Sequence, residues 1–81
     1  SELVAIRQTL CRLLVDKSPA VRVFAARALG DTASEQKPLD KGSLTALQAT
    51  LSDNPFVRVW VYYALAQNGE PFALDETLRL L

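Results

Sequence analysis

The sequence predicts an all-α fold, an α-α superhelix in which about two and a half helical hairpins, roughly five helices in all, stack side by side. The strongest observation is a repeat: the stretch from Pro19 to Gly30, PAVRVFAARALG, returns 36 residues later as PFVRVWVYYALA, from Pro55 to Ala66. Six of the twelve positions are identical and Phe24 is answered by Trp60, so the likeness extends to the kind of side chain. A period of this size marks an array of helical units, none of which hides its apolar face alone. Two further observations agree. Apolar residues before each copy recur at spacings of three and four, and each copy opens on a polar turn followed by proline, which suits the first turn of a helix because it has no N–H to leave unpaired.

In the first predicted helix Leu3, Ile6, Leu10, Leu13 and Leu14 form one stripe. Asp16-Lys17-Ser18-Pro19 ends it and starts the second, which runs to about Gly30, where a glycine can adopt the left-handed conformation that stops a helix. Residues 31–41 read as a polar connector containing Pro38. The third helix begins near Gly42-Ser43, with Asp40 or Ser43 as its cap, and places Leu47 and Leu51 where Leu10 and Leu14 stand 37 residues before. The turn Ser52-Asp53-Asn54-Pro55 is one residue shorter than its predecessor, a change that a loop tolerates. The fourth helix, Pro55 to about Asn68, is rich in β-branched and aromatic residues between Val57 and Tyr63, a composition that favours strand. Its leading proline, its helical spacing and its alignment with the alanine-rich first copy favour helix. Asn68-Gly69 closes it, and Leu74, Leu78 and Leu81 follow at helical spacing in a last helix capped by Asp75. The expected organisation is one domain: repeat one 2–30, connector 31–41, repeat two 42–69 and a partial third repeat 70–81.

Composition narrows the role. An apolar fraction of 49% with 22% charged residues marks a folded chain. Nine cations balance nine anions, so the clustered positive charge that displaces counterions from a phosphate backbone is missing, and nucleic acid is not an expected partner. Arg7, Arg12, Arg22 and Arg27 read as solvated helix faces. Cys11, the single cysteine, has no partner for an internal disulfide and no histidine with which to build a metal site, and reads as a packed thiol. No apolar run reaches the roughly 20 residues of a membrane span. A soluble protein is expected, the cytoplasm favoured although no residue names a compartment. A chain opening on Ser1 and lacking methionine is expected to come from a longer polypeptide.

The pattern Asp-x-x-Pro-x-Val-Arg-x-x-Ala-x-x-Ala-Leu-Gly, carried by Asp16 to Gly30 and with departures by Asp53 to Ala66, resembles HEAT repeats, in particular the HEAT-like class named after phycobilisome lyases. The resemblance implies a right-handed stack with the first helix of each pair on the convex side and the second on the concave side, where partners usually bind. It also implies a ladder of turn aspartates and early arginines, here Asp16 and Asp53 with Arg22 and Arg58.

A helical wheel places Val21, Phe24, Ala25, Ala28 and Leu29, with Val57, Trp60, Val61, Ala64 and Leu65, on the core side. The opposite side carries Ala20, Val23, Ala26 and Arg27 in the first copy and Phe56, Val59, Tyr62 and Tyr63 in the second. Aromatic residues with polar tips suit interfaces, and the expected partner-binding residues are Val23, Arg27, Phe56, Val59, Tyr62 and Tyr63. The expected role is a non-catalytic interaction or scaffolding module that binds a protein or an adjacent domain of its parent chain. An end without a capping helix, Leu78-Arg79-Leu80-Leu81, invites association with a second copy. No catalytic, cofactor-binding or metal-binding residue is expected. The alternatives are a fragment of a bilin lyase or related enzyme, disfavoured by the absence of histidine, and a DNA-binding HEAT-like domain, disfavoured by the charge balance.

Overall fold

The computed structural model describes residues 1–69, and among them every regular element is helical. Four α-helices, α1 (Glu2–Leu13), α2 (Pro19–Thr32), α3 (Lys41–Ala49) and α4 (Pro55–Gln67), are joined by turns, with one 3-10 turn at Thr50–Ser52. The fifth expected helix, and with it the open end proposed for self-association, lies outside the described residues. Hairpin α1/α2 stands against hairpin α3/α4, so that α1 lies on α3 in one layer and α2 on α4 in the other.

Each helix begins where the sequence supplies a partner for its first N–H groups. Ser1 Oγ accepts from Val4 N at α1, Asp40 from Ser43 N at α3, and Asn54 from Val57 N at α4. At α2 the turn is held one step back: the Asp16 carboxylate accepts from Ser18 N at 2.9 Å, and Pro19 takes the first helical position. Ser43 Oγ also donates to Asp40 at 2.8 Å, which more than any other contact holds the Asp40 carboxyl below its usual range. The β-prone stretch Val57–Tyr63 is helical. Burial decides it: Val57, Val61, Ala64 and Leu65 all pack into the core, and local preference yields to that face.

The core runs from Leu10 and Leu14 through Ala25, Ala26 and Leu29 to Leu39, Leu47 and the buried face of α4. Three expectations are corrected here. Gly30 does not stop α2, which continues to Thr32, and the positive backbone angle belongs to Gly69 after α4. Phe24, assigned to the core, is 59% exposed, whereas Ala26, assigned to the outer face, is fully buried. Both follow from α2 lying between α1 and α4: its second side is covered by α4, and the Phe24 edge is left bare.

The arginines of the first hairpin are not all solvated. Arg7 retains 6% exposure and acts as a clamp on the connector. Its guanidinium donates to Thr32 O, Lys37 O and Pro38 O, each at 2.9 Å, and its Nε donates to Thr32 Oγ1 at 3.1 Å. A connector crossing between hairpins has few backbone partners of its own, and one planar fork of donors satisfies two of its carbonyls and the last carbonyl of α2. Leu39 is buried beyond the clamp, and its N–H donates to Asn68 Oδ1 at 2.6 Å, which ties the connector to the end of α4.

Candidate functional site

The contact between the hairpins is built from residues one helical turn apart on α2. Arg22 reaches across to the turn before α4, with Nε 2.6 Å from Asp53 Oδ2 and an NH2 group 3.1 Å from Oδ1, while its other terminal nitrogen donates to Asp16 O at 2.8 Å. This fork joins the two equivalent turns of the repeats, and its side chains are largely shielded from solvent. Asp53 also accepts from Asn54 N. Arg22 is the main cause of the lowered Asp53 pKa.

The pairing therefore stabilises the native state above the unfolded carboxyl pKa of about 3.9 and loses that effect as pH falls through it toward the lower native value. Asp53→Asn is expected to show a shallower loss of stability below about pH 4 than the parent chain, measured by urea unfolding across that range; an unchanged acid slope would contradict the pairing.

Two turns further along α2, the backbone of Gly30 meets α4 directly. A Cβ at Gly30 would lie 2.7 Å from Tyr63 Cε2 and 3.0 Å from Ala64 Cα, so at this glycine the hairpins approach too closely for a side chain. Around it, Tyr63 donates its hydroxyl to Asp31, which raises the phenol pKa. Trp60 meets Tyr63 edge-on with centroids 5.4 Å apart, and the Arg27 guanidinium lies 5.2 Å from the centre of the Trp60 ring.

Of the six residues expected to bind a partner, Arg27 and Tyr63 are thus engaged between the hairpins. Val23 and Tyr62 pack partly against the core. Val59 is half-buried, and Phe56, at the start of α4, is 81% exposed. Among the ladder residues, Arg22, Asp53 and the backbone of Asp16 meet, while Arg58 does not join them and its enclosed Nε finds no hydrogen-bond partner among the described residues. The structure adds Arg7, Ala26 and Gly30, which spacing did not single out. Gly30 carried a signal all the same, since it is replaced by Ala66 in the second copy and faces the bulky Tyr63 of that copy.

On the other layer, Cys11 Sγ lies 3.6 Å from Ser43 Oγ beside a cleft of about 280 Å³ lined by Val4, Arg7, Gln8, Asp40 and Gly42 as well. The thiol packs partly against the core, between α1 and α3 and away from the α2/α4 layer. Among the described residues no cluster of acidic, thiol or imidazole groups is fit to hold a metal ion, and no helix is long and apolar enough to cross a membrane.

Paired hairpins, an arginine fork between equivalent turns and a glycine at a close approach of α2 and α4 define a helical-repeat protein. The family model for HEAT repeats matches residues 7–81, and the chain belongs to that family. The match is to HEAT repeats in general and does not distinguish the lyase-like subclass. No curated protein and no solved structure matches the chain. Proteins of this family typically serve as non-catalytic scaffolds, and their repeats generally mediate contacts between proteins.

Proposed function

We propose that this chain is a protein-binding module whose contact surface lies on the α2/α4 layer and centres on Phe56, with Val59 and Tyr62 beside it. The observation that carries the reading is Phe56 itself, an aromatic ring 81% exposed one residue into α4. Burying such a ring against a partner removes a large apolar area from water with few rotamers to freeze. Its spacing from Val59 and Tyr62, three residues each, extends the surface along one side of the helix. The occupant is a protein segment or an adjacent domain with an apolar contact patch.

The arginines speak against nucleic acid as the partner. Arg7 and Arg22 are used inside the fold, which takes two of the five basic residues of the first hairpin out of any cationic surface and leaves Arg12, Lys17 and Arg27 exposed, the last of them over Trp60. A lyase-type reading draws no support from Cys11, which lies between α1 and α3.

Phe56→Ser is expected to leave the melting temperature within about 2 °C of the parent, since exposed substitutions shift stability by little. It is also expected to weaken capture of the partner in a pull-down by tenfold or more, the scale of a central interface residue. A partner crosslinked to α3 or to the connector, with Phe56→Ser without effect on capture, would move the surface elsewhere.

A further inference from the structure

We infer that the occupant of the Phe56 surface is an acidic protein segment, in which a carboxylate meets Arg27 while an apolar side chain covers Phe56. The inference rests on that surface being the contact site and adds the charge of the partner. Arg27 is exposed, and its guanidinium lies 5.2 Å from the centre of the Trp60 ring. The ring attracts the cation through its π cloud and supplies no oxygen, so the N–H groups keep their capacity for a carboxylate. Among the described residues the hydrogen-bonded arginines are Arg7, Arg12 and Arg22, and the ion-paired ones are Arg7 and Arg22. Arg27 belongs to neither group. A planar fork already positioned by Trp60 also loses less freedom on meeting a carboxylate than an unsupported one.

Placement and sign of charge point the same way. Trp60 follows Phe56 by one turn of α4, about 6 Å along the helix, so the cation above it stands beside the exposed ring. Helix α4 contains no acidic residue, and α2 contains one, Asp31, which already accepts from the Tyr63 hydroxyl. Against it the two helices carry Arg22, Arg27 and Arg58, of which Arg22 is neutralised by Asp53. A basic segment laid over Phe56 is repelled at Arg27, whereas an acidic one gains a charge-assisted, two-toothed pair. The distance sets a pattern for the segment. Its carboxylate stands two residues from the apolar residue if the segment is extended and four residues from it if the segment is helical.

The test is a selection of randomised displayed peptides on the 81-residue chain, followed by affinity measurements on those enriched. Enriched peptides are expected to carry Asp or Glu at one of the two spacings from an apolar residue. Exchanging that carboxylate for its amide is expected to weaken binding about tenfold. Arg27→Gln is expected to weaken the acidic peptide equally and to leave the affinity of the amide version unchanged, and Arg27→Glu to turn the selection toward Lys and Arg. Because Arg27 is exposed, Arg27→Gln is expected to melt within about 4 °C of the parent. Peptides that are lost with Phe56→Ser but are indifferent to Arg27→Gln, or that carry no acidic residue, would overturn the acidic partner and keep the surface. Peptides indifferent to Phe56→Ser, or a selection that enriches none, would overturn the surface and this inference together. A duplex DNA oligonucleotide that binds the chain and is lost with Arg27→Gln, where no acidic peptide is selected, would assign Arg27 to a phosphate instead.

Discussion

Replacing Arg7 by alanine is expected to destabilise the protein by about 3 kcal/mol and to lower its melting temperature by roughly 15 °C. The guanidinium is buried and supplies hydrogen bonds to Thr32 O, Lys37 O, Pro38 O and Thr32 Oγ1. Truncation leaves those acceptors enclosed and unpaired, and an unmade hydrogen bond inside a fold costs more than a made one contributes. The Asp40 carboxylate adds little, being 3.9 Å away and largely exposed. Arg7→Lys is expected to recover only a small part, because an ammonium group is a point charge and cannot span the same acceptors as a planar fork. The exposed Arg12 serves as the reference, with a change of less than about 0.5 kcal/mol on conversion to alanine. Urea unfolding of the three variants checks the order; an Arg7→Ala protein as stable as Arg12→Ala would refute the clamp.

The second large effect is at Gly30. Within a helix, exchange of glycine for leucine gains on the order of 1 kcal/mol from propensity alone, so a helix-centred view predicts stabilisation. The hairpin contact predicts the reverse. A Cβ already meets the Tyr63 ring and the Ala64 backbone at 3.0 Å or less, and a leucine side chain forces α2 and α4 apart, a repacking that costs about 3 kcal/mol against the propensity gain. Gly30→Leu is therefore expected to be a net loss of roughly 2 kcal/mol, measured by thermal and urea unfolding. Tyr63→Ala in the same chain is expected to relieve it only partly, since the Ala64 backbone remains in the way.

These two positions also show what was readable from the residues alone. The helices, their order and their starts follow from local chemistry: a capping oxygen or a proline at each N-terminus and apolar spacing along each face, information carried within a dozen residues. The β-prone run of α4 was readable because its aligned copy resolved the conflict. What was not readable is the second face of α2. A wheel assigns one buried side to a helix, and α2 has two, since the neighbouring hairpin buries Ala26 and Gly30 while Phe24 on the far edge stays bare. The same stacking gives two residues of the candidate surface a partner within the fold: Tyr63 bonds Asp31, and the exposed Arg27 lies over Trp60. Arg7 reads as a solvated residue from sequence and is buried in the fold, because its acceptors are main-chain carbonyls 25 to 31 residues away, which no side-chain pattern announces.

The account rests on the two hairpins holding one another through specific cross-contacts, and a double-mutant cycle between Arg22 and Asp53 measures that directly. Arg22→Ala alone is expected to lower the melting temperature, and the cycle of Arg22→Ala with Asp53→Asn to give a coupling of about 1–3 kcal/mol, the range for a shielded, bidentate charged pair. A coupling near zero, with the two single losses simply adding, would contradict it.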